Sequence, residues 1–74
     1  MQKKDFLTAM DNLLELPEGT LQGPENLDDL ENWNSLAMVE YIALVDSNTG
    51  AKVSPRQIRD CETVDQLAQL AKVE

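Results

Sequence analysis

Apolar residues recur along most of this chain at intervals of three and four, the spacing of a helix face. No stretch alternates apolar and polar for more than a few residues, as a half-buried strand would. Phe6, Met10, Leu13 and Leu14 predict a first helix from Lys3 to Leu16, closed by Pro17. From Pro17 to Asn34 the pattern breaks, and Pro17, Gly19, Gly23 and Pro24 punctuate a connection that is long for a compact domain. Leu21, Leu27 and Leu30 are the residues to pin it beneath the helices, and Leu27 to Glu31 predicts a short helical turn.

A second helix is expected from Ser35 to about Asn48. Leu36, Val39, Ile42 and Val45 recur every third residue there, predicting an inward stripe that drifts slowly around the axis and needs other helices to cover it. Ser35 or Asn34 can cap its start by accepting a backbone N–H, and Thr49-Gly50 supplies a glycine for a left-handed end. Ser54-Pro55 starts a short third helix, Pro55 to Asp60, with Ile58 inward. Thr63-Val64-Asp65-Gln66 has the reciprocal form of a capping box and opens a last helix to about Lys72, with Val64, Leu67, Leu70 and Ala71 inward. The expected fold is a single all-α domain over residues 1–74: a small bundle of three main helices plus one short helix, with a long loop between the first two.

Charge narrows the range of functions. Six Lys plus Arg against fourteen Asp plus Glu give a net charge of −8. From Asp5 through Ala51 there is no Lys or Arg, so every cation lies toward one end or the other. Such a surface disfavours nucleic acid and attracts partners with basic patches, although most of the acids need do no more than keep a small domain soluble. A chain this short buries only about 60% of its unfolded surface, so its stability is expected to be a few kcal/mol at most. No apolar run is long enough to cross a membrane, and the start runs straight into an amphipathic pattern, so a soluble cytoplasmic protein without membrane insertion is expected; a monomer is expected as well. The single cysteine, Cys61, cannot form an internal disulfide and fits a small, partly buried residue.

The chain has no histidine, which removes several chemistries together. Neither Ser35 nor Cys61 can be activated by an imidazole of this chain, and one cysteine without histidine is a poor zinc set. Asp46-Ser47-Asn48-Thr49-Gly50 has the look of a calcium loop, but its glycine is fifth instead of sixth and Gln57 stands where the twelfth-position Glu belongs. A helix end is the better reading. Three scattered glycines make no phosphate-binding loop.

Leu30-Glu31-Asn32-Trp33-Asn34-Ser35-Leu36 resembles the attachment site of the acyl carrier protein family, whose signature is Asp-Ser-Leu opening the second helix, often after Leu-x-Gly-Trp. The order of long first helix, long loop, serine-led helix, short helix and final helix is also similar. The resemblance implies that the chain is not an enzyme. Ser35 would carry 4′-phosphopantetheine, joined covalently from coenzyme A by a phosphopantetheinyl transferase, and acyl groups would ride on its thiol in a fatty-acid, polyketide or other specialised pathway. Asn32 stands where many relatives have Gly, and because Asn visits positive φ cheaply the tight turn is expected to survive. Asn34 replaces the family's Asp, a contact for the transferase; shape and hydrogen-bond acceptance are kept and a charge is lost, which bears on how well the serine is modified and by which transferase.

By the same resemblance the second helix is the recognition helix. Leu36, Met38 and Ala43 would be its apolar contacts, and Glu40 and Asp46 its charges toward acyl-transferring or condensing enzymes with basic docking patches. Met10, Met38, Ile42, Ile58 and Leu67 are adaptable residues that fit the lining of an acyl cleft, and ordinary core packing accounts for them equally well. The competing readings are an aminoacyl, peptidyl or D-alanyl carrier, and an unmodified acidic helical adaptor.

Overall fold

The computed structural model describes residues 1–73. Among them the chain forms α1 (Lys3–Leu13), α2 (Ser35–Thr49), α3 (Pro55–Arg59) and α4 (Val64–Leu70), with a 3-10 turn over Leu27–Asp29. The architecture is an all-α small bundle, and the one β-type pairing among the described residues is an isolated bridge between Asn26 and Thr63. The radius of gyration, 10.8 Å, is close to the ~11 Å of a compact chain of this length. The long loop is therefore packed against the helices.

α1 stops three residues before the expected Leu16. Glu15 takes a left-handed conformation, φ 60°, and the next two N–H groups turn back: Glu15 donates to Asn12 O at 3.2 Å and Leu16 to Asp11 O at 2.8 Å. These are the two bonds of a Schellman motif, which satisfies terminal carbonyls that would otherwise be orphaned. Because a non-glycine residue occupies the left-handed position, the sequence carries no mark of the stop. α4 ends the same way at Leu70, before the expected Lys72: Lys72 has φ 60°, with N–H bonds from Lys72 to Gln69 O and from Val73 to Ala68 O. α2 runs through Thr49 and ends on left-handed Gly50. Both short helices open on capping boxes, Ser54 with Gln57 and Thr63 with Gln66.

The core gathers Phe6, Met10 and Leu14 of the first segment, Leu21 and Leu27 of the loop, Ile58, Val64, Leu67 and Ala68 of the last two helices, and Ala71 just beyond them, around Tyr41. Phe6 meets Tyr41 edge-on at 6.2 Å between ring centroids. Burial raises the pKa of the Tyr41 phenol, with the Cys61 thiol adding to the effect, and the hydroxyl donates to Leu67 O at 2.6 Å. α2 is thereby tied to α4 through the interior.

The expected inward stripe on α2 is corrected. Ala37, Tyr41 and Val45 are its buried residues, whereas Leu36 and Val39 are 67% and 63% exposed. In a helix of 3.6 residues per turn, a series taken every third residue falls back by about 60° at each step. Leu36 and Val45 therefore lie on opposite sides of the rod. A series taken every fourth residue slips less and keeps Ala37, Tyr41 and Val45 together. Since α2 is apolar nearly all round, its pattern could not choose between the two.

The loop is held from two directions. Asp11 is buried, and its carboxylate accepts the N–H of Gly19 at 2.9 Å and of Leu21 at 3.0 Å. Farther along, the loop lies against the start of α4: Asp65 N–H donates to Gly23 O at 2.8 Å, Val64 N–H to Glu25 O at 3.1 Å, and Leu27 N–H to Glu62 O at 2.8 Å. Lys3 Nζ also lies 2.6 Å from Asp65 Oδ1, joining α1 to α4.

Candidate functional site

The helix start left open between Ser35 and Asn34 belongs to Asn34. Its backbone is extended and its side-chain oxygen accepts the Ala37 N–H at 3.0 Å. Ser35 is accordingly the first residue of α2, exposed, and its hydroxyl is not engaged as the cap. It stands at the positive end of a fifteen-residue helix, where an anionic substituent is favoured by about 0.3–1 kcal/mol at an exposed position.

The residues before the serine are each fixed differently. Trp33 donates its N–H to Leu30 O at 3.1 Å and sets its ring edge-on to Tyr41, centroids 6.2 Å apart. Asn32 does not use the positive φ expected of it, since among the described residues the non-glycine ones with positive φ are Glu15 and Lys72. Its amide Nδ2 instead donates to the Leu14 carbonyl at 2.6 Å, eighteen residues away in sequence. A small pocket of about 150 Å³ lies beside this turn, lined by Leu13, Glu15, Asn32, Asn34, Ala37 and Glu40 among others.

By helical position, Leu36, Val39, Glu40, Ala43 and Asp46 share one outer face of α2 with Ser35 at its edge, and all are exposed. Val39 was absent from the contacts expected from the resemblance, and the presumed stripe had placed it, like Leu36, inward. Met38 falls outside this face and is half-buried against the core. Asp46 is ion-paired to Lys52 at 2.6 Å, so Glu40 is the more available charge. Asp46 to Gly50 form the end of α2, and among the described residues no group of three or more His, Cys, Asp or Glu could hold a metal ion.

Of the adaptable residues proposed for a cleft, Met10, Ile58 and Leu67 are fully buried and Met38 and Ile42 partly so. A groove of about 430 Å³ lies elsewhere, between α1 and the loop, bordered by Lys4, Leu7, Thr8, Leu21 and Gln22. Cys61 is half-buried, and burial, with Asp60 beside it, raises its thiol pKa. That disfavours the reactive thiolate. No described helix is long and apolar enough to cross a membrane. Comparison with protein-family models, with curated proteins and with solved structures finds no match to this chain.

Proposed function

We propose that the chain is a phosphopantetheine-dependent acyl carrier, with Ser35 as the attachment residue. The observation that carries the reading is an exposed serine, free of the capping role, at the first position of a long helix whose outer face is apolar and acidic. Ser35 Oγ would form the new bond to the pantetheine-side phosphorus of coenzyme A as the bond from that phosphorus to the bridging oxygen breaks and 3′,5′-ADP departs. The serine proton passes to a base on the transferase, because this chain has no histidine to receive it. After transfer, the thiol of the arm carries acyl groups as thioesters.

Within this reading the domain delivers cargo and does not transform it. Asn34 preserves the helix cap without a carboxylate beside the serine. Partner enzymes dock on Leu36 and Val39, with Glu40 offered to their basic patches. Exposed ion pairs contribute only about 0.2–1 kcal/mol each, so docking is weak, quick to release and sensitive to salt, as a shuttle requires. Intact mass after incubation with coenzyme A and a broad-specificity phosphopantetheinyl transferase tests the reading. A single adduct, absent in Ser35→Ala, supports it. Unchanged mass with several such transferases overturns it in favour of an unmodified acidic adaptor, the alternative to which the neutral Asn34 points.

A further inference from the structure

The geometry points to Asn32 as a positioning residue: by holding the Leu14 carbonyl, its amide fixes the turn that presents Ser35, and so sets how readily a transferase modifies that serine. This inference rests on the carrier reading above.

The last carbonyls of a helix lack intrahelical partners and need outside donors. α1 ends with Leu14 as its cap residue, and Asn32 Nδ2–H reaches the Leu14 carbonyl at 2.6 Å. Three successive residues before Ser35 are then anchored to three different places. Asn32 is bonded to the end of α1, Trp33 rests its ring on Tyr41, and Asn34 caps the first turn of α2. Trp33 and Asn34 also serve packing and helix formation. Asn32 is exposed and outside the hydrophobic core, so its amide can be removed with the core left whole. Its bond is one that the glycine expected from the resemblance has no side chain to make. A supporting contact of this kind keeps the turn in the one arrangement that a transferase can engage, so that little of the population is lost to others.

Loss of the contact lets the turn sample orientations in which Ser35 is misplaced, and apparent affinity falls in proportion to the competent fraction. The test uses the full chain as Asn32→Gly, which deletes the side chain, and Asn32→Asp, which keeps the shape but sets an oxygen against the Leu14 carbonyl. Far-UV circular dichroism confirms helicity. Amide hydrogen exchange at Ser35, Leu36 and Ala37 reads the turn, and modification kinetics at saturating coenzyme A read its consequence. Both variants are expected to exchange faster at these amides and to lose about tenfold in kcat/KM, through KM for the carrier with kcat little changed. Unchanged exchange, or kcat/KM within twofold of wild type in both variants, overturns the inference. If the wild-type chain itself gains no adduct, the carrier reading and the inferred effect on rate fail together, and the exchange data alone decide whether Asn32 holds the turn.

Discussion

Asp11 Oδ1 accepts the N–H of Leu21 across ten residues of chain, at 3.0 Å and out of contact with solvent. A carboxylate is thus part of the interior, and its second oxygen receives the N–H of Gly19. Hydrogen bonds to a charged group contribute about 1.5–3 kcal/mol, and a buried donor left without a partner costs about 1–3 kcal/mol. Asp11→Ala is expected to lower the unfolding free energy by about 2–3 kcal/mol, because only Gly19 is open enough for water to replace the lost oxygen. Asp11→Asn keeps one acceptor and should cost about 1 kcal/mol. Urea midpoints of the two variants check the order; equal midpoints would mean that the carboxylate does not hold the loop.

The two faces of α2 should answer substitution oppositely. Leu36→Ser and Val39→Ser, at highly exposed positions, are expected to stay within ~0.5 kcal/mol of wild type. Tyr41→Phe removes the hydroxyl that donates to Leu67 O and should cost about 1 kcal/mol, with Ala71 N–H left to satisfy that carbonyl. Thermal unfolding decides: at roughly 4–8 °C per kcal/mol, the tyrosine variant melts measurably lower. A large loss from Leu36→Ser would return that residue to the core.

Two backbone positions should move in contrary directions. Gly23 has φ 122°, and a Cβ there would collide with the Asp65 carboxylate, so Gly23→Ala is expected to cost more than the about 1–3 kcal/mol of backbone strain alone. Glu15 carries a side chain through the left-handed region, a strain of about 1–2 kcal/mol. Glycine would relieve it, less the ~0.4–1 kcal/mol lost to a freer unfolded chain. Glu15→Gly should therefore raise stability by up to ~1.6 kcal/mol. Denaturant titration of both reads the signs directly.

Acid sensitivity follows from Glu25. Partial burial works against its charge, but N–H groups of Gln22 and Gly23, at 2.8 and 2.7 Å, and its own N–H outweigh that and hold the carboxyl below the ordinary glutamate value. A depressed folded-state pKa means stabilisation that is fully present above the unfolded value and lost as pH falls through the folded one. Wild type should lose stability more steeply than Glu25→Gln between roughly pH 5 and 3. Parallel stability curves over that range would contradict the assignment.

Much of this fold is legible in the sequence where one residue type has one mechanical use. Ser54-Pro55 and the Thr63–Gln66 pair open helices where their capping chemistry says they should, and Gly50 ends α2. Legibility fails where the deciding interaction is tertiary. Glu15 and Lys72 end helices without glycine because the backbone folds back on itself. α2 is apolar on too many sides for its period to reveal which side Tyr41 takes inward. Asp11 lies one turn before Leu14, on the flank of the apolar face, and that placement was its only signal of burial among so many acids. Around Ser35 the helix start was legible, but the choice of Asn34 as cap depended on geometry, and the use of Asn32 depended on where α1 ended.

Trp33 is the single tryptophan of the chain, edge-on to Tyr41 in the core and two residues from Ser35. The molecule therefore contains its own optical probe, placed between the packed interior and the candidate loading position. Its emission can follow both loss of tertiary contact with Tyr41 and arrival of a bulky substituent at the serine, without a label.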